Sequence, residues 1–214
     1  VLVGGTKDPD LSVIADLSPD LIIVNTEENR ADDIARCRSI AEVVETFPTS
    51  PKDVPDMLRT IGRAIDAFTQ ADERAAVIEE QIQHLEKVCP GSNVSFAYFI
   101  WKQPYMVAST DTYISRSLEL AGFHNVIKQH VRYPSIELGV MRDLHPEVIF
   151  LSSEPYPFRQ RDVGEILSAY PSVKRLMRID GRLMSWYGTT TLELLQQLAS
   201  WPNCGRGFVR DFKR

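Results

Sequence analysis

Basic excess is the first thing this 214-residue sequence lacks: 24 Lys and Arg stand against 29 Asp and Glu, for a formal net charge of -5. Without surplus cations to displace counterions from phosphates, neither a nucleic acid nor an anionic membrane surface is expected as a partner. Cysteine is scarce too. Cys37, Cys89 and Cys204 are odd in number, far apart and in no CxxC pair, so their spacing suggests neither a zinc site nor a disulfide framework. His84, His124, His130 and His145 are scattered, with no HxxxH or HExxH pair, and no metal site is expected. Apolar runs such as 21–24 and 148–151 are of strand length, far short of the roughly 18 residues of a membrane span, so no stable insertion is expected either. A GxSxG elbow, a GxxxxGK phosphate loop and a GxGxxG turn are also missing, and no residue is nominated as catalytic.

What remains is a composition of 43% hydrophobic and 25% charged residues, which removes disordered and low-complexity classes from consideration. The chain opens Val1-Leu2-Val3-Gly4-Gly5, with no initiator Met and no signal-peptide pattern. That is the expected start of a processed chain or of one lacking its natural beginning.

Three regions separate by pattern. Residues 1–50 alternate short helices with β-branched runs: a helix from Pro9, a strand Leu21-Ile22-Ile23-Val24 expected to be buried on both faces, a helix over 31–40 and a strand over 43–47. Residues 51–90 hold apolar positions at steps of three and four from Val54 to Val88, with Asp53 as a cap and Pro90-Gly91 as a stop. One helix of about 35 residues, roughly 50 Å long, follows at 1.5 Å per residue, and such a rod suits a bridge between two lobes. A break near Gln70-Ala71-Asp72 and a coiled-coil arm stay open as alternatives. Residues 91–214 return to α/β alternation from Asn93, with strands over 94–100, 106–108, 148–151 and 173–179 and helices over 112–120, 136–144, 162–169 and 191–199. The expectation is an α/β protein, two Rossmann-like lobes with parallel sheets joined by one long backbone helix: 1–50 a first, partial lobe, 51–90 the helix, 91–214 the second lobe.

Aromatic residues gather in the loops. Trp101 and Tyr105 follow the first strand of the third region, Tyr133 lies beside Arg132 and Pro134, Tyr156 stands in Ser153-Glu154-Pro155-Tyr156-Pro157-Phe158, and Trp186-Tyr187 follow the last strand. Strand-end loops are where open α/β sheets hold ligands, and broad rings with a polar tip suit a large, flat or amphipathic one. Glu27-Glu28 at a strand end and Glu154 on a proline-rich turn are the acidic candidates.

At these residues the chain resembles a known family. Gly4-Gly5-Thr6-Lys7-Asp8-Pro9-Asp10, Ser18-Pro19-Asp20-Leu21-Ile22-Ile23, Asn25-Thr26-Glu27-Glu28-Asn29-Arg30, Ser152-Ser153-Glu154-Pro155-Tyr156-Pro157-Phe158 and Ser185-Trp186-Tyr187-Gly188 are similar to the helical-backbone (class III) substrate-binding proteins of ABC importers, the cobalamin-binding subgroup in particular. The resemblance implies no enzyme and no resident cofactor. It implies capture of a cobalamin-like ligand, or alternatively haem or a ferric siderophore, in an inter-lobe cleft, with delivery to an ABC permease and its ATPase. By the same resemblance Trp101, Tyr133, Tyr156, Trp186, Tyr187 and Asn25 are ligand-binding, and Glu27, Glu28 and Glu154 dock on the permease. The location implied is periplasmic or lipid-anchored and extracytoplasmic. The family's first lobe carries further strand and helix before Gly-Gly-Thr-Lys, so that lobe is expected to be incomplete here. Asn25 and Thr26 stand where cobalamin relatives often carry an aromatic. Two other classes stay in view: a cytoplasmic corrinoid- or chelate-sensing module, and an α/β enzyme using Glu154, His145 and Tyr187.

Overall fold

The computed structural model describes residues 1–89, 91 and 94–201. The Pro90 stop, the Asn93 start of the third region and Cys204 lie outside the described residues. The chain divides into two compact units, 1–48 with 55–76, and 49–54 with 77–214.

In the first unit, Gly4–Gly5 (β1) and Asp8–Pro9 (β2) form a small antiparallel hairpin. Asp10 then caps helix α1 (Leu11–Asp16), its carboxylate accepting from the backbone of Ser12 and Val13. Strand β3 (Leu21–Asn25), helix α2 (Ala31–Cys37) and strand β4 (Glu42–Thr46) make one βαβ unit, with β3 and β4 parallel and paired residue by residue from Leu21↔Glu42 to Asn25↔Thr46. Val24, Ile34, Leu11 and Cys37 are its buried apolar residues. The expectation that the 21–24 strand is covered on both faces is not met: Ile23 is 48% exposed. Side chains alternate along β3, and Val24 is buried on one face while Ile23 on the other stays open to solvent.

The rod expected over 54–88 is not there either. Helix α3 (Val54–Ala64) stops, Asp66 takes a left-handed conformation (φ 56°), and helix α4 (Phe68–Val88) begins afresh. Arg59 and Asp72 would lie about 20 Å apart along one straight helix. Instead the Arg59 Nε lies 2.7 Å from the Asp72 carboxylate, and Arg63 covers the Phe68 ring at 5.0 Å, so α3 turns back on the start of α4. Apolar spacing carries on through the break because both helices are amphipathic, which is why periodicity alone could not see it. Residues 68–76 of α4 count with the first unit and 77–88 with the second.

The second unit is built on a mixed sheet in the order β10-β9-β5-β6-β8, with β7 also pairing β5. Its strands are β5 (Ser95–Trp101), β6 (Tyr105–Val107), β7 (His124–Asn125), β8 (Ser135–Ile136), β9 (Val148–Ser152) and β10 (Arg175–Ile179). Helices α5 (Tyr113–Leu120), α6 (Met141–Leu144), α7 (Gln160–Ala169), α8 (Gly181–Ser185) and α9 (Thr190–Ala199) connect them. Strands β5, β9 and β10 are parallel neighbours. Both faces of this parallel core are covered, which is why β9 reads as an uninterrupted apolar run. Ala97, Phe99, Ile149 and Leu151 point to one side, onto Phe158, Val163, Ile166 and Tyr170. Phe96 and Phe150 point to the other, where Phe123 meets them edge-on at 6.2 and 5.6 Å. The helix expected over 136–144 is shorter, since 135–136 is a strand and only Met141–Leu144 is α-helical.

Cys89 is disulfide-bonded and Cys37 is a free, buried thiol. The spacing of the cysteines suggests no disulfide framework, yet Cys89 is bonded, because spacing along the chain does not report distance in the fold.

Candidate functional site

In the second unit three loops leave the carboxyl ends of three adjacent parallel strands: residues 102–104 after β5, 153–159 after β9, and 180 onward after β10. This edge is where an open α/β sheet leaves backbone and side chains free for a ligand. Trp101 ends β5 and is 38% exposed. Its ring meets the edge of Tyr156 at 5.8 Å, and Tyr156 in turn packs on the buried Phe158 at 4.9 Å. The structure thus brings Trp101 and Tyr156, 55 positions apart in sequence, into one aromatic face.

That face sits on a charge cluster. Lys102 Nζ donates to Asp162 and to Glu165, each at 2.7 Å, and the Tyr105 hydroxyl donates to Glu165 at 2.9 Å. Asp162, wholly buried in the first turn of α7, also accepts from the Arg159 backbone N–H at 2.7 Å and from the Tyr156 hydroxyl at 3.4 Å. Desolvation works against both charges of the pair. The hydrogen bonds more than offset it, so that the Lys102 pKa stands above, and the Asp162 pKa below, its ordinary value. The Lys102 ammonium and the Tyr105 hydroxyl hold Glu165 low as well, and burial with the Glu165 hydrogen bond pushes Tyr105 up to about 12.

Glu154 follows β9. The Tyr98 hydroxyl donates to Ser152 Oγ at 3.2 Å, and Ser152 Oγ donates to the Glu154 carbonyl. Gly181, the first residue of α8, lies directly against this turn. A β-carbon there would sit 2.7 Å from the Glu154 carbonyl oxygen, so no larger residue fits. The Gly181 N–H also donates to Ser153 Oγ at 2.9 Å. Helix α8 carries the Arg182 guanidinium over the Trp186 ring at 5.8 Å, and Trp186 is 61% exposed. Tyr187 leans on the buried Tyr113 at 5.2 Å, whose hydroxyl is bonded to Thr191 at 2.8 Å. Tyr133 belongs to the connection between β7 and β8, with the Arg132 guanidinium 5.6 Å over its ring. Arg132 is itself anchored, donating from N and NH1 to Asp111 at 2.8 and 2.6 Å.

The remaining candidates belong to the first unit. Asn25 shapes the turn after β3: its Oδ1 accepts from the backbone N–H of Glu27 and Glu28 at 3.0 and 3.2 Å, and its Nδ2 donates to Thr46. The Gly-Gly-Thr-Lys hairpin laces onto that turn. Lys7 Nζ donates to the Glu27 carbonyl at 2.5 Å, Asn29 Nδ2 to the Thr6 carbonyl at 2.9 Å, and the Thr6 hydroxyl to Glu28 at 3.4 Å. The motif works as a clasp on the Glu27-Glu28 turn.

For the enzyme alternative, His145 precedes β9 and Glu154 follows it, so about 16 Å of strand separates them. They cannot act on one atom. Among the described residues no group of three or more His, Cys, Asp or Glu side chains is placed to hold a metal ion, and no helix is long and apolar enough to cross a membrane. Lys102, Asp162, Glu165 and Gly181 escaped the sequence reading. Asp162 entered that reading only as the first residue of the helix expected over 162–169.

Comparison with known proteins bears on the fold and the family. The Fe(3+)-citrate-binding protein YfmC of Bacillus subtilis is 23% identical over 155 residues, which cover 71% of this chain and 49% of that protein, so the chain spans about half the length of the curated relative it matches. Among solved structures, the periplasmic vitamin B12 binding protein BtuF of Vibrio cholerae superposes with a TM-score of 0.76 at 18% identity, over 92% of this chain and 79% of that one. The periplasmic heme-binding protein RhuT from Roseiflexus sp. RS-1 does so with 0.76 at 16% identity, over 92% and 80%. These likenesses establish the α/β fold, and these relatives are binding proteins rather than enzymes. Residues 1–174 match the family described as periplasmic binding protein, and the chain belongs to that family.

Proposed function

We propose that this chain is the solute-capturing part of an ABC importer that takes up a large metal chelate, with cobalamin, haem and ferric citrate as the ligands to test. The observation that carries the reading is the loop edge of the second unit, where exposed Trp101 packs on Tyr156 while Trp186 stands on the next strand's loop. Rings held this way offer apolar area at little ordering cost. Relatives that are binding proteins for vitamin B12, heme and ferric citrate supply the ligand list. Trp101, Tyr133, Tyr156, Trp186 and Tyr187 are the ligand residues of this reading, and Asn25 acts by shaping the turn that carries Glu27 and Glu28. Those two carboxylates and Glu154 are its docking points for a permease coupled to an ATPase.

The family implies an extracytoplasmic setting, and the Cys89 disulfide supports one, because such bonds persist in oxidising compartments. That favours a carrier over a cytoplasmic sensor. The test is a tryptophan-fluorescence titration with cyanocobalamin, haemin and ferric citrate, corrected for absorption by the ligands. Saturable quenching by one of them is expected, weakened in Trp186→Ala with its unfolding midpoint kept. No saturable response to any of the three would sink the ligand class.

A further inference from the structure

Beneath the aromatic edge lies a set of charges that makes no use of its own in ligand capture. Asp162 and Glu165 stand three residues apart on one face of α7, and both accept from Lys102. Lys102 is the residue after Trp101, and Asp162 is also within reach of the Tyr156 hydroxyl. One buried carboxylate therefore touches both loops whose rings meet at 5.8 Å.

Resting on the reading of that edge as a ligand surface, we infer that Asp162 is a positioning residue that holds Trp101 and Tyr156 as a preassembled face, acting through Lys102 and the Tyr156 hydroxyl. The cluster has the right mechanical arrangement. The β5–β6 turn is short and its Lys102 side chain is almost fully buried (9% exposed), so the turn cannot swing without withdrawing an ammonium from two carboxylates. Tyr105 closes the other end of the turn on Glu165. Trp101 itself is exposed and is placed by this bracing of its neighbours, together with its edge contact to Tyr156. A face fixed before the ligand arrives avoids the entropy of ordering two rings on binding.

The test uses a Trp186→Phe background, in which acrylamide quenching reports Trp101, since Trp201 is buried. Asp162→Asn is expected to raise the quenching constant about twofold, because the ammonium loses the buried one of its two carboxylate partners and the turn loosens. With whichever of cyanocobalamin, haemin or ferric citrate binds the parent, affinity is expected to fall about tenfold from misplaced rings. In a Trp101→Ala background Asp162→Asn should cost clearly less than in the parent, since only Tyr156 is left to misplace. Glu165→Gln, on the exposed side of the cluster, should show a smaller rise in quenching. If Asp162→Asn does not fold, the paired Lys102→Met/Asp162→Asn variant, which leaves no lone buried charge, carries the same expectation. Unchanged quenching, unchanged affinity, or a full additive loss in the Trp101→Ala background would overturn the inference. A rise in quenching in a protein that binds none of the three ligands would uphold the brace and defeat the ligand reading alone.

Discussion

Gly62 and Ala71 touch so closely that a β-carbon on the glycine would collide with that of the alanine and lie 3.1 Å from the Ala67 carbonyl oxygen. The contact is possible only because α3 doubles back at Asp66. Gly62→Ala is therefore expected to cost about 1–3 kcal/mol in urea unfolding, the usual range for overpacking. Ala71→Gly added to it should return part of that loss, a coupling that a double-mutant cycle reads directly. If Gly62→Ala is neutral or stabilising, as alanine is inside an uninterrupted helix, the turn-back is wrong.

Gly181 makes a similar demand at the loop edge. Gly181→Ala pushes a methyl group into Ser152 Oγ and the Glu154 carbonyl that this hydroxyl donates to, so the hydrogen-bonded turn itself must shift. A loss of about 1–3 kcal/mol is expected in thermal or urea unfolding. Because Trp186 belongs to the same helix end, its emission maximum should shift in the folded variant, and an unshifted spectrum would separate the two loops.

The cluster around Lys102 has a defined pH window. Asp162 and Glu165 have lowered folded pKa values, so the stability they contribute is complete above their ordinary 3.8 and 4.5 and is lost as pH falls through the folded values. Lys102 and Tyr105 are raised, so their contribution is complete below their ordinary 10.5 and 10.0 and fades as pH rises past them. Melting temperature should be flat between about pH 5 and 9 and decline on both sides. Glu165→Gln should make the acid limb shallower; an acid limb of the same slope would show that the cluster does not govern it.

The cysteines give a chemical check. Under denaturing conditions without reductant, iodoacetamide should label the Cys37 peptide, and the Cys89 peptide only after reduction. Mass spectrometry of the digest reads both. Labelling of Cys89 without reductant would remove the disulfide, and with it one support for an oxidising compartment.

Much of the α/β plan was legible because it is local. Leu21–Asn25, Ser95–Trp101 and Val148–Ser152 announce themselves as β-branched or apolar runs, and the helices expected from Pro9 and over 112–120 begin close to where they were placed. A break stood open as an alternative near Gln70-Ala71-Asp72, but its place at Asp66 was not legible. Its cause is a side-to-side contact of Gly62 with Ala71 and an Arg59–Asp72 bond, both of which need the fold before they exist. The same holds for the site. Loops rich in Trp and Tyr drew attention on their own, whereas Asp162 looked like any acid at a helix start until β5 brought Lys102 to it. Cys89 is the plainest instance, since nothing along the chain marks it as oxidised.

The parallel run of β5, β9 and β10 separates two tasks in the second unit. Strand interiors are locked on both faces, while their far ends open into connections whose outer side chains bear little of the packing. Substitutions confined to the exposed Trp101, Gln103 and Trp186, with the half-buried Tyr156 and Lys102, Ser152, Asp162 and Gly181 kept, thus change the chemistry of the edge while the sheet beneath stays as it is.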